Sequence, residues 1–171
     1  IPIFDVTTSD ICENFVNQAY GQGSFVISKN GNTITITQLK DIRLDNGTKK
    51  YRIQFYSDDS TDNLIFDGSN HRIFLDYNEG YPLQNWIGLL DCRKGSNSKT
   101  IKNTFIQCKD TRIYCNPKHG YIVASGGKLP ITIENCSVHG IISENGGGLI
   151  GSEYTSSVNG SKLSISKCSS S

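Results

Sequence analysis

Methionine is absent from this chain of 171 residues, tryptophan occurs once and proline four times. No apolar run approaches the roughly 18 residues that a membrane-spanning helix needs, so this segment encodes no span. Charge of one sign is missing too: 17 basic and 16 acidic residues leave a net charge of +1, without a sustained basic run, which excludes nucleic acid as an electrostatic partner. No C-x2-C pair exists and the three histidines are scattered at His71, His119 and His139. A zinc site is therefore not predicted, and no other metal or cofactor is. The acidic cluster of Asp58, Asp59 and Asp62 lacks the glycine and distal glutamate of an EF-hand and reads as a solvated loop. The chain opens at Ile1 without methionine and is expected to be a processed or partial one.

What is present is repetition. Residues 131–136 read ITIENC and residues 163–168 read LSISKC, while NTFIQC at 103–108 and LIFDGS at 64–69 fit the same frame. A second apolar segment follows the first three copies, RIFL at 72–75, RIYC at 112–115 and VHGII at 138–142. A third follows each of those, GLLDC at 88–92, YIVAS at 121–125 and GLIGS at 148–152. Three short strands per repeat of about 30 residues predict a solenoid whose turns bury their apolar faces only against one another. The expected fold class is thus all-β, a right-handed single-stranded parallel β-helix with an N-terminal α-helical cap, forming one domain over residues 1–171. Its parts are a cap at 1–23, first strands at 24–62 and recognisable coils at 63–171. The last strand has no cap after it, so the coils are expected to continue beyond the chain end or to be covered by another subunit.

The cap is read from Ser9 and Asp10 as N-cap candidates, Glu13 at capping-box spacing from Asp10, and Gly21 as the stop. Ile11, Phe15, Val16 and Ala19 share the predicted apolar face. Laid across the first coil, such a helix would block edge-to-edge association. Next, SFVIS at 24–28, TITIT at 33–37 and YRIQFY at 51–56 read as strands, with Asn30-Gly31 as a tight turn between the first two.

Cys108, Cys136 and Cys168 fall at one position of the repeat frame, which predicts a ladder of thiols about 4.8 Å apart. Parallel Cβ vectors favour packed free thiols there over the crossed geometry of a disulfide. Of three N-x-S/T sequons, Asn46 and Asn159 precede glycine in expected turns and are the candidate glycan sites, whereas Asn135 sits within the ladder.

Three stretches resemble the pectin-lyase-like parallel β-helices: NLIFDGSNHRI at 63–73, the I-x-I-x-N-C…V-x-G-x-I frame at 131–142, and GLIG at 148–151, which is similar to the GLUG-type repeat of bacterial and large-DNA-virus surface proteins. The resemblance implies a surface, capsid-associated or adhesive part. The stations of the family's catalytic members are not assembled: Asp58-Asp59 lies upstream of the coils, Lys118-His119-Gly120 lacks the first glycine of a Gly-His-Gly station, and Trp86-Ile87-Gly88 matches a Trp-Ile-Asp-His station in two letters only.

A glycosidase needs two carboxyls converging across a groove. Asp67, Asp76 and Asp91 are the candidates, with Asp67 in one column with Glu134 but two repeats away, and Arg72 with Arg112 as a conceivable flanking pair. His139 follows Cys136 by three residues, which strand alternation sends to the opposite face. No catalytic residue is assigned. Tyr77, Tyr81 and Trp86 are the candidate rings for sugar stacking, although core filling explains such aromatics equally well. Leu163, Ile165 and Cys168 on the last strand are the candidate assembly interface. The sequence points to a non-catalytic structural protein on an extracellular or virion surface, with self-association, another structural protein or glycans as partners. The alternative is a polysaccharide lyase or hydrolase, or a carbohydrate-binding module.

Overall fold

The structure is a computed structural model that describes residues 3–45, 53–59, 61–76, 86, 88–93, 97–108, 120–124, 127–140, 149–151, 155–156 and 163–171. After the short strand β1 (Phe4–Asp5), the helix α1 (Ser9–Tyr20) forms where the sequence predicts it. Gly21 closes it with φ at 106°, a conformation that side chains other than hydrogen resist, and its N–H donates to the Asn17 carbonyl. Its buried face overlaps the predicted one at Val16 and Ala19 and differs elsewhere. Cys12, Val16 and Asn17 point inward, while Ile11 and Phe15 are each 57% exposed. Asn17 turns the helix this way, because its amide donates to the Phe25 carbonyl and accepts from the Phe25 N–H, both at 2.9 Å. Glu13 is likewise drawn away from a capping box, its carboxylate accepting the Ile27 N–H at 2.7 Å.

Strands β2 (Phe25–Asn30) and β3 (Thr33–Gln38) form an antiparallel hairpin whose turn holds Gly31 at φ 60°. Then the pairing becomes parallel. β3 pairs with β6 (Asn63–Asp67), β6 with β9 (Lys99–Lys102), β9 with β12 (Ile131–Glu134) and β12 with β15 (Leu163–Ser166), giving a six-stranded sheet with β2 and β15 at its edges. A five-stranded parallel sheet runs beside it through β4 (Ile42–Asp45), β7 (Arg72–Asp76), β10 (Phe105–Cys108), β13 (Ser137–His139) and β16 (Ser169–Ser170). β1, β5 (Phe55–Tyr56) and β8 (Leu90–Asp91) make a third sheet, and β11 (Lys128–Leu129) pairs with β14 (Thr155–Ser156).

The expectation of a uniform β-helix is corrected by this topology. The six-stranded sheet is mixed, because the hairpin β2–β3 opens it in the antiparallel sense. The third segments supply strands of only two residues and isolated bridges, Leu90 to Val123 and Val123 to Ile150, in place of a full strand in every repeat. The described residues therefore form separate sheets of six, five, three and two strands with one helix on an edge.

Alternate residues of the two larger sheets point inward and are fully or nearly fully buried, among them Ile34, Ile36, Phe66, Ile101, Ile131 and Ile133, with Leu44, Ile73, Leu75 and Ile106 from the other sheet. Phe25, Phe55 and Phe66 meet at centroid distances of 5.5 to 6.2 Å and fill the end beneath the helix.

The link between the two sheets shortens along the chain. Asn103-Thr104, Asn135-Cys136 and Lys167-Cys168 are each two residues between consecutive strands, and the first of each pair is left-handed, with φ of 53°, 50° and 51°. Asparagine tolerates that region best after glycine. Its amides also stack: Asn103 Nδ2 donates to Asp67 Oδ1 at 3.1 Å, and Asn135 Nδ2 donates to Asn103 Oδ1 at 2.9 Å. Gly68 lies under this column, and a Cβ there would fall on the Asn103 carbonyl oxygen.

Candidate assembly edge and outer face

Strand β15 pairs with β12 on one side and with no strand on the other among the described residues. Leu163 stands beside Ile131 and Ile165 beside Ile133. The two interior residues are fully buried, whereas Leu163 is 44% and Ile165 47% exposed. The same inward column that closes the core elsewhere is thus open here, together with one row of backbone donors and acceptors. β16 continues the edge on the neighbouring sheet and pairs only with β13.

Cys168 is half-buried at this edge, and its thiol donates to the Ser166 carbonyl at 3.0 Å. Cys136, one strand inward, makes the equivalent bond to Glu134 at 3.2 Å, and Thr104 makes it through its hydroxyl to Lys102 at 2.9 Å. This column corrects the predicted thiol ladder. Thr104, Cys136 and Cys168 share it, while Cys108 belongs to β10 beside Leu75. The frame KTIKNT at 99–104, and not NTFIQC, is the true counterpart of ITIENC. All five described cysteines are free. Burial pushes the Cys136 and Cys92 thiols up to about 12 and that of Cys108 up to about 11.

The opposite edge of the sheet is covered over the first half of β2. Glu13 and Asn17 of α1 take up backbone groups of β2 at Phe25 and Ile27, as water or another strand would otherwise.

The carboxylates considered for catalysis have structural roles or lie apart. Asp67 accepts the Ser69 N–H at 2.8 Å and the Asn103 amide, as a turn aspartate does. In its column Lys102 stands between it and Glu134. Asp91 is held by the Arg93 guanidinium, and Asp76 pairs in register with Asp45 at the end of β7. Arg72 stands beside Phe105, and Arg112 lies outside the described residues. Trp86 is corrected as a sugar platform: it is fully buried, with its indole N–H donating to the Tyr121 carbonyl at 2.9 Å. Tyr77, Tyr81, Asn46 and Asn159 lie outside the described residues. Among the described residues no cluster of three metal-ligating side chains occurs, and no helix is long and apolar enough to cross a membrane.

Sequence reading missed the outer face of the five-stranded sheet. Its outward positions form two rows across the strands, Arg72, Phe105, Ser137 and Ser169 in one and Arg43, Phe74, Gln107 and His139 in the other. The Arg43 guanidinium lies 4.7 Å from the centroid of the Phe74 ring. The signal was one polar residue in each of RIFL and FIQC, Arg72 and Gln107, whose common face is visible only once Phe105 is known to stand beside Arg72 in register.

No protein-family model matches this chain, and no curated protein and no solved structure matches it.

Proposed function

We propose that this chain is a non-catalytic structural component of an extracellular or virion assembly, joined to its neighbour by strand addition along the β15 edge. The observation that carries the reading is the contrast between Ile131 and Ile133, fully buried, and Leu163 and Ile165, which keep nearly half their surface in water at the same inward positions. Each further strand laid on β15 would bury both side chains and satisfy the open row of backbone groups. The extracellular or virion setting rests on the turn motifs of the sequence.

The occupant we assign to the edge is a second copy. Among the described residues α1 lies over the start of the β2 edge, so of the two edges of the six-stranded sheet it is β15 that a copy offers along its whole length. The contact is then isologous, with the two strands antiparallel about a two-fold axis, and it closes at a dimer instead of growing into a filament. Pairing Leu163 of one copy with Ile165 of the other keeps all four apolar side chains on the inward face.

Sedimentation velocity over a wide concentration range tests this. The expected result is a monomer–dimer equilibrium that Ile165→Lys shifts strongly to monomer without lowering the melting temperature. A wild-type chain that stays monomeric at the highest concentration, or a dimer indifferent to Ile165→Lys, would rule the reading out.

A further inference from the structure

The outer face of the five-stranded sheet carries a second site, independent of the β15 edge. Two adjoining cavities of ≈ 330 Å³ and ≈ 390 Å³ open on it, and both are lined by Gln107 and His139, so they form one trough across the strands. At one end stand Asn70, Arg72, Ser137, Ser169 and Ser171; at the other Arg43 is stacked on Phe74.

The chemistry of the lining is one-sided. It offers two guanidinium groups, an imidazole, two carboxamides and three hydroxyls, and among the described residues no carboxylate lines either cavity. Asp41 is turned to the Arg72 backbone N–H at 2.8 Å and to the His71 ring at 3.5 Å. Arg72 is exposed and lines the trough along with His139, whose Nδ1 lies 3.0 Å from the Ser171 hydroxyl. Phe105, half-buried between Arg72 and Ser137, gives the trough an aromatic floor beside these donors. Strands spaced about 4.8 Å apart put Arg43 and His139 about 14 Å from one another, so the trough is long enough for more than a single small ion.

We infer that this trough binds an oxyanion ester, a sulfate or phosphate group carried on a ring, with Arg72 and His139 on the anion and Phe105 against the ring. Guanidinium forks match tetrahedral oxyanions, and donors without competing carboxylates select for negative charge. An aromatic floor adds affinity for a flat apolar ring face.

The test is titration calorimetry of the intact chain with inorganic sulfate, inorganic phosphate, a sulfated disaccharide and the same disaccharide without sulfate. Arg72→Gln and His139→Gln serve as variants. Both change only exposed side chains; the Arg72 carbonyl that accepts from Gln38 is untouched, so the fold is retained, and circular dichroism checks it. The sulfated disaccharide is expected to bind and the unsulfated one not, with Arg72→Gln weakening binding about tenfold to a hundredfold, the range for losing a hydrogen bond to a charged group. Tighter binding of the ester than of either free ion identifies the ring contact, and equal binding identifies the free anion as the ligand. No binding by any of the three anions, or binding unchanged by both variants, would overturn the site. Neither result depends on dimer formation at β15, which the sedimentation experiment reads separately.

Discussion

The two edges of the six-stranded sheet are built from similar apolar strands and finished in opposite ways. At β2, α1 lies along the edge, and Asn17 and Glu13 occupy backbone groups of Phe25 and Ile27. At β15 nothing among the described residues does so, and Leu163 and Ile165 remain open to water. The difference teaches that exposure here is set by position in the stack and not by side-chain type. Ile165 has the residue identity and register of Ile133, yet the first is 47% exposed and the second fully buried.

The strongest way to break the covered region is alkali. Cys12, Cys92 and Cys136 are pushed up to about 12, chiefly by burial, whereas an unfolded thiol ionises near 8.5. Between about pH 9 and 12 the folded chain holds protons that the unfolded chain gives up. Stability is thus complete below that window and falls as pH rises through it, by about 1.4 kcal/mol per pH unit for each thiol. Denaturant melts taken across the window should show this decline, and a flat profile would contradict it.

Cavity formation comes next. Ile133→Ala should cost about 2 to 5 kcal/mol, and Ile165→Ala about 1 kcal/mol or less in the monomer, since its side chain leaves water only in part. Equal losses in urea titration would mean that the two positions are equivalent and the edge is not open. Asn17→Ala should cost about 1 to 3 kcal/mol by leaving backbone groups of Phe25 unsatisfied, and it should convert the covered edge into a sticky one, seen as new association by light scattering. The smallest effect is chemical. Under native conditions a maleimide should label Cys168 before the buried Cys12, Cys92, Cys108 and Cys136, and dimer formation should slow that labelling; simultaneous labelling would erase the contrast between edge and interior.

Much of the strand pattern was legible because apolar residues alternate cleanly in residues 33–37, 131–134 and 163–166, with LIFD at 64–67 as a short apolar run in the same frame. The third-segment alignment of Leu90, Val123 and Ile150 was legible from short apolar runs of similar composition recurring after each second segment. The frame failed at 99–104 because Lys99 occupies an inward position between Leu64 and Ile131. It is buried to 3% exposure with its amine donating to the Asn97 carbonyl at 3.0 Å, so the long apolar stem does the packing that a leucine does elsewhere. A pattern search rejects lysine there and slides to NTFIQC, which carried Cys108 into the wrong column. The helix face was legible in part: Val16 and Ala19 turn to the core as expected, whereas Ile11 and Phe15 do not, and Asn17, which periodicity counts as a surface residue, is held inward by its hydrogen bonds with Phe25. Of the proposed edge, Leu163, Ile165 and Cys168 were legible as the last apolar strand. The trough was not, since it depends on which strands are neighbours.

The two-residue left-handed links also divide the chain by how freely it can change length. One residue inserted at Asn103-Thr104 or Asn135-Cys136 would turn every following side chain to the wrong face and break the amide stack with it. Strands β9, β12 and β15 start 32 residues apart, and the spacing from β6 to β9 is close to that. Length differences between repeats are taken up away from these corners, on both sides of the third segment: Ile106 to Val123 spans 17 residues and Val138 to Ile150 spans 12, while Val123 to Ile131 spans 8 and Ile150 to Leu163 spans 13. The corners thus act as fixed counters between the two larger sheets, and drift in length falls on the connections that leave and enter the third segment.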